Sequence, residues 1–286
     1  TGSEGWWVFE WDGVVGSDNY GTTYSSINRV EIDTCCEGDG AAFRGDHERT
    51  TIADVDGDGQ QELVIMIRRG GKRGTLITSV SGDIEHNAGG AGFETWVSEF
   101  FVDRGSYGGG SPYHSLPADL NGDGHMELVN HTWNYFNFYN ITSTAANTYD
   151  IAEVGAEGSY YRATYPSDQV SLFGGAAGDI DGDGFDDLFV ADTDDRHRTH
   201  DFGVSQMYLN KRDGTFEPVD IGINSEDLIG TWVGSFADYD RDGDPDLLIA
   251  SGGYTMASTL AFYENQMSTH RRFVDVTSAS GIAGST

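Results

Sequence analysis

The stretch Asp179-Ile180-Asp181-Gly182-Asp183-Gly184-Phe185-Asp186-Asp187-Leu188-Phe189-Val190 decides how this chain is read. Counted from Asp179, it sets carboxylates at positions 1, 3, 5 and 9, a glycine at position 6, and an apolar, β-type run behind them. Carboxylates packed this closely repel one another unless a cation sits among them. A hard ion taking roughly six to eight oxygen ligands, such as Ca²⁺, suits the spacing, and glycine permits the sharp turn at position 6.

The pattern recurs three times, from Asp54, Asp119 and Asp238. Successive first aspartates (Asp54, Asp119, Asp179, Asp238) are 65, 60 and 59 residues apart, and a fixed period of this size marks a repeat architecture. The carboxylates are Asp54, Asp56, Asp58 and Glu62; Asp119, Asp123 and Glu127, with Asn121 at position 3; Asp179, Asp181, Asp183 and Asp187; and Asp238, Asp240, Asp242 and Asp246. Asn121 keeps an oxygen ligand but loses a charge, which makes the second loop the weakest expected site. These clusters hold 15 of the 47 acidic residues.

Each unit reads as strand, acidic loop, strand, turn, strand, turn, strand. The first runs through Thr51–Ala53, Leu63–Ile67 and Thr75–Thr78. The second contains Leu128-Val129, the aromatic run Trp133–Tyr139 and a strand near Tyr149–Val154. Gln206–Leu209 and Gly214–Phe216 belong to the third, and Leu247–Ala250, Leu260–Tyr263 and Phe273–Val276 to the fourth. Four antiparallel strands cannot bury both faces alone, so the units must stack, and radial stacking gives a β-propeller. The expected division is one all-β domain over 1–286, with blades at 51–114, 115–173, 174–232 and 233–286. Residues 1–50 supply two strands (Trp6–Trp11 and Ile27–Ile32) of a partial N-terminal blade.

Position 12 separates the calcium-loop types. An EF-hand needs a bidentate Glu there, on an exiting helix. This chain has Ile65, Asn130, Val190 and Ile249 instead, with strand-like flanks, so the EF-hand fails in all four copies. What remains is a β-hairpin loop in which position 9 gives the last carboxylate and position 7 (Gln60, His125, Phe185, Asp244) a backbone carbonyl. With Gly174-Gly175-Ala176-Ala177-Gly178 before the loop and Leu-Phe-Val after it, the pattern resembles the FG-GAP/VCBS repeats, the calcium-bearing blades of integrin-α-like propellers. Gly214–Asp220 and Phe273–Ile282 resemble the end of such a blade, and the likeness spans about residues 50–282. It implies up to four Ca²⁺ ions that staple hairpins rather than catalyse. It also implies a propeller of about five blades closed by the N-terminal strands and residues 277–286, or part of a seven-bladed ring. Open edges pairing with a neighbouring chain are the third arrangement.

The net charge of −31 excludes nucleic-acid and anionic-membrane binding, which need basic patches; four divalent ions would still leave −23. No run of 18 apolar residues exists to span a membrane. The sequence begins at Thr1 without a signal-like segment, as expected of a mature form or a fragment. Open calcium sites fit an extracellular, secreted or cell-surface setting. Cys35 and Cys36 are adjacent; a vicinal disulfide, a bond to another chain and bonds to cysteines outside this sequence all fit.

Smaller features carry less. Arg44-Gly45-Asp46 spells an adhesion tripeptide, His197 and His200 lie near Asp192, Asp194 and Asp195 as a further metal candidate, and Asn140 and Asn130 head glycosylation sequons, the first in an expected turn and the second in an expected strand, where a glycan fits less well. Trp6, Trp7, Trp11, Trp96, Trp133 and Trp232 suit blade packing, with sugar stacking as the other use. No nucleophile elbow, zinc-protease motif, phosphate loop or CxxC appears, so no reaction is indicated. The expected function is a calcium-stabilised binding, adhesion or structural scaffold whose partner is a protein, a glycan or copies of itself. A polysaccharide lyase or hydrolase on a propeller is the alternative.

Overall fold

The computed structural model describes residues 6–7, 29–30, 47–59, 61–69, 72–79, 97–101, 114–131, 136–145, 148–153, 172–192, 205–223, 228, 230–252 and 259–280. Gln60, Cys35, Cys36, Arg44–Asp46, Asp194, Asp195, His197, His200, Trp11, Trp96 and Trp133 lie outside them. Strands β1 (Trp6–Trp7) and β2 (Arg29–Val30) pair antiparallel as a two-stranded sheet. Four four-stranded antiparallel sheets follow, each a simple up-and-down meander. The first is β3 (His47–Ala53), β4 (Glu62–Arg69), β5 (Lys72–Ser79) and β6 (Val97–Phe101). The second is β7 (His114–Ala118), β8 (Glu127–His131), β9 (Phe136–Ala145) and β10 (Thr148–Glu153). The third is β11 (Leu172–Gly178), β12 (Asp187–Asp192), β13 (Gln206–Asn210) and β14 (Phe216–Val219). The fourth is β15 (Thr231–Ala237), β16 (Asp246–Ser251), β17 (Thr259–Asn265) and β18 (Phe273–Asp275), interrupted by one helical turn, α1 (Met267–His270), that the sequence reading did not expect.

Period-two alternation sends successive side chains to opposite faces, and the sheets use both. Val55, Val64 and Ile77 of the first sheet meet Leu128, Tyr139 and Ile141 of the second. Leu116, Ala118, Val129 and Phe138 of the second meet Leu188, Val190 and Tyr208 of the third. Phe189, Ala191 and Met207 of the third meet Leu247, Ile249, Ala261 and Tyr263 of the fourth. Strands β7 and β12 are buried along their whole length, the polar His114, Ser115, Asp187 and Asp192 included. The first strands β3, β7, β11 and β15 neighbour one another in succession, a propeller-like order.

Among the described residues no core cluster joins the fourth sheet to the first. The large exposed apolar side chains sit on those two end faces. Ile52 is 62% exposed on β3, beside Ala53, which points the other way toward the second sheet; Tyr239 and Leu260 are 50% and 40% exposed beyond the fourth. At the loop position of Tyr239, the inner Val55 and Ile180 are at most 1% exposed because a following sheet covers them.

Small residues on the first strands let the sheets approach. A Cβ on Gly234 would lie 2.3 Å from Cδ1 of Phe189, which is itself fully buried. Gly234→Ala is therefore expected to lower stability by about 1–3 kcal/mol, the usual cost of overpacking, as read by urea denaturation. A neutral result would show that the third and fourth sheets are not packed this closely.

Candidate metal centres

All four acidic stretches are the loop between the first and second strand of a sheet, and all four have one backbone design. Position 6 is a glycine at φ 87°, 83°, 90° and 102° (Gly59, Gly124, Gly184, Gly243), a left-handed conformation that residues with a Cβ rarely adopt. Position 4 is left-handed too, as Gly57, Gly122 and Gly182, but the fourth loop puts Arg241 there at φ 65°. That substitution costs on the order of 1 kcal/mol in backbone strain and returns one positive charge to a loop of five carboxylates.

The aspartate at position 1 holds the turn by accepting backbone N–H groups from positions 5 and 6. Asp54 accepts from Asp58 (3.1 Å) and Gly59 (2.8 Å), Asp119 from Asp123 (3.1 Å) and Gly124 (2.9 Å). Asp179 accepts from Asp183 (2.9 Å) and Gly184 (2.8 Å), Asp238 from Asp242 (3.1 Å) and Gly243 (3.2 Å). Position 9 accepts the N–H of position 2: Val55 to Glu62 (2.9 Å), Leu120 to Glu127 (2.9 Å), Ile180 to Asp187 (3.1 Å) and Tyr239 to Asp246 (3.1 Å). Each carboxylate has about four lone-pair sites, so these bonds leave acceptor capacity facing the centre of the loop.

Three groups converge among the described residues, with ligand atoms within 4.8 Å of one another: Asp54, Asp56 and Asp58; Asp179, Asp181 and Asp187; Asp238, Asp240 and Asp246. The second loop differs. Asn121 Nδ2 donates to Glu127 Oε1 at 2.9 Å, so an amide occupies the gap that two carboxylates face elsewhere. At position 7, His125, Phe185 and Asp244 donate N–H to the position 5 carboxylate at 2.9, 3.0 and 3.2 Å. The first two also bridge loops through their side chains, a role the sequence reading missed. His125 Nδ1 lies 3.0 Å from the Asp56 carbonyl, and the Phe185 ring lies against Gly122.

Further bonds tie each loop to its neighbours. Asn210, ending β13, donates its N–H to Asp187 (2.8 Å) and its side-chain amide to the carbonyl of Leu120 in the preceding loop (2.8 Å). Asn265, ending β17, repeats this with Asp246 (2.8 Å) and Ile180 (3.0 Å). Asp186 accepts the N–H of Asp119 at 2.8 Å, joining the second and third loops directly.

The fold corrects the turn expected at Asn140 and keeps Asn130 in a strand, as expected. Asn140 is exposed but lies within β9 rather than in a turn, and Asn130 is fully buried in β8, which leaves a glycan no access. Trp232 packs half-buried, its Nε1 donating to the Gly252 carbonyl at 2.8 Å.

Residues 179–249, the third loop through the strand after the fourth, match the family model described as FG-GAP-like repeat. The chain carries an FG-GAP-like repeat. No curated protein matches the chain. Solved structures with a detectable likeness include the Vibrio cholerae biofilm matrix protein Bap1 (17% identity, 76% of this chain and 26% of that one, TM-score 0.36). A GH62 hydrolase in complex with xylotriose is similar at 9% identity over 80% of this chain and 68% of that one, TM-score 0.47. An Agrocybe aegerita lectin that recognises non-reducing terminal N-acetylglucosamine is similar at 14% identity over 79% and 64%, TM-score 0.35. The chain thus spans about a quarter of the biofilm protein's length, and at these TM-scores none of the three bears on the site.

Electrostatics within the repeat loops favour protons or cations. Burial pushes Asp187 up to about 7, against the lowering effect of the N–H bonds from Asn210 and Ile180, with Asp181 and Asp183 adding repulsion. Burial likewise raises Glu127 to about 7 and Asp186 to about 6, and Glu62 and Asp246 move in the same direction for the same first cause. Asp244 rises to about 6 through burial and its contact with Asp242, which is lowered in turn by that hydrogen bond. A carboxyl raised above its unfolded value, near 4, stabilises the fold fully below that pH and loses the contribution as pH rises through the folded value. In chelator, the melting temperature is therefore expected to fall as pH rises from about 4.5 to about 7.5. A melting temperature that instead rises across this window in chelator would show that the carboxylates are not held in mutually repelling, buried positions.

Proposed function

We propose that the chain is a calcium-stapled β-propeller module that serves as a binding or assembly scaffold in an extracellular or cell-surface setting. The observation that carries this reading is the common loop design. Position 1 shapes the turn, position 9 anchors it to the sheet, and three of the four loops converge hard oxygen donors on one point. Oxygen-only donors at this density suit Ca²⁺ over thiolate- or imidazole-seeking metals. Asp54, Asp56, Asp58 and Glu62 would hold one ion; Asp179, Asp181, Asp183 and Asp187 a second; Asp238, Asp240, Asp242 and Asp246 a third. Asp119, Asn121, Asp123 and Glu127 would form the weakest site, because the Asn121 amide already bonds Glu127. Position 7 carbonyls (Gln60, His125, Phe185, Asp244) complete the proposed sets.

The ions' role in this reading is structural. They neutralise clusters whose mutual repulsion would otherwise open the hairpins, and the blades (51–114, 115–173, 174–232 and 233–286, with 1–50 as a partial unit) act as one domain. The partner surface is protein in this reading. Ile52 at one end and Tyr239 with Leu260 at the other present the apolar faces that inner sheets bury. Ring closure by the N-terminal unit, or mating with another chain or copy, would cover them. No described helix is long and apolar enough to cross a membrane.

Ligands that bind only the folded state stabilise it by mass action. Millimolar calcium is expected to raise the melting temperature well above its value in EDTA, and calorimetric titration should give fewer than four strong sites, the second loop being the missing one. Asp187→Asn should lose more stability in calcium than in chelator, since it removes a ligand as well as an acceptor. Unchanged melting in EDTA would refute the calcium reading, and equal Asp187→Asn deficits in both conditions would remove Asp187 from the ligand set.

A further inference from the structure

The third loop receives a cation from a neighbouring turn, whereas the arginine of the fourth, Arg241, stands within the loop itself. Arg212 lies in the turn between β13 and β14, and its Nε donates to Asp183 Oδ2 at 2.5 Å while a terminal guanidinium nitrogen bonds the same oxygen. The guanidinium carbon stands 5.7 Å from the centre of the Phe185 ring, at position 7 of the same loop. Asp183 is position 5, and its side chain is 11% exposed against 55% for Arg212. The arginine thus reaches from solvent onto a largely covered carboxylate.

Its backbone is set for this reach. Arg212 is left-handed at φ 60°, and its N–H donates to Asn210 Oδ1 at 2.9 Å, the asparagine whose own N–H bonds Asp187. The fold does not require a charge here. In the fourth sheet Asn265 makes the same bonds, and the residue two further on, whose N–H donates to Asn265 Oδ1 at 2.8 Å, is Met267. The counterpart of Arg212 is therefore a buried methionine turned into the core. The third loop converges Asp179, Asp181 and Asp187, as the fourth converges Asp238, Asp240 and Asp246, and in the third the remaining Asp183 is held by the arginine.

We propose that Arg212 is the resident cation of the third loop, so that metal binding there is an exchange in which the guanidinium gives up Asp183. This rests on the calcium reading above and adds a residue that sets the order of the sites. The third loop keeps its shape without metal, because a guanidinium offsets one of its carboxylates. It takes up calcium less tightly than a loop with the same acids and no internal competitor. A charged donor on a partly covered carboxylate is worth about fivefold in such an equilibrium.

Arg212→Met tests this, since it keeps an unbranched stem over Phe185, carries the residue that the fourth sheet uses, and leaves the backbone cost at positive φ unchanged. Arg212→Lys is the companion, keeping the charge without the planar donor pair. Calcium titrations followed by ¹H–¹⁵N spectra of the whole chain read each loop separately through its glycine amides. Arg212→Met is expected to move the Gly184 midpoint to roughly fivefold lower calcium, to leave the Gly59 midpoint in place, and to lower the melting temperature in EDTA but not in saturating calcium. Arg212→Lys should fall between wild type and Arg212→Met. A Gly184 midpoint that stays put or moves to higher calcium, with Gly59 still responding, would overturn the exchange and leave the calcium reading intact. Loss of response at all four loops in the wild type would sink both.

Discussion

The structure depends on one buried carboxylate per sheet, the acid at position 9 of each loop. It is the first residue of the second strand, so it sits where the hairpin meets the core, and it accepts the N–H of position 2 from across the loop. In the third and fourth sheets it also accepts the N–H of the asparagine that ends the third strand. One side chain therefore ties the turn, the second strand and the third strand together. An apolar residue there would strand two buried N–H donors, each costing about 1–3 kcal/mol, and an amide would serve only one of its two oxygens' tasks. The acid is required by backbone bonding before any metal is considered.

From that carboxylate the bonding passes between sheets. The amides of Asn210 and Asn265 reach back to the carbonyl at position 2 of the preceding loop, while the side chain at position 2 fills the gap between sheets. Loop shape and sheet packing are thus set by the same few residues, and a disturbance in one loop is felt by the sheet before it. The same logic explains the ends of the array. Among the described residues, no core cluster reaches past Tyr239, which has the backbone bond of a position 2 residue, or past Ile52 on the other end. Those faces are built to the inner pattern.

Much of this was legible from spacing. The loop pattern located all four hairpins, and the apolar run after each one located a second strand, because acids, glycine and strand must stand in fixed order for the turn to close. What was illegible involves contacts between units. Nothing in Asn210 or Asn265 announces an amide reaching into another loop, since asparagine at a strand end reads as a turn former. Arg212 was equally silent: its partner, Asp183, is 29 residues away. His125 and Phe185 were read for their carbonyls, and their rings proved to pack across loops. The sequon at Asn140 reads as a turn because asparagine is a common turn residue, yet it continues β9.

The loops also differ from one another in how they handle their own repulsion, although they share a backbone. The second replaces a carboxylate with Asn121 and bonds it to Glu127, the third brings in Arg212, and the fourth pairs Asp244 with Asp242 and places Arg241 in a strained glycine position. The first converges Asp54, Asp56 and Asp58 on one point. Each device offsets part of its loop's repulsion before any cation enters, so on the proposed calcium reading the loops would differ in how far they depend on the ion. Since each loop is bonded to its neighbour, the well-compensated second and third loops lie where they can support the first across the His125 contact and the fourth across the Asn265 contact.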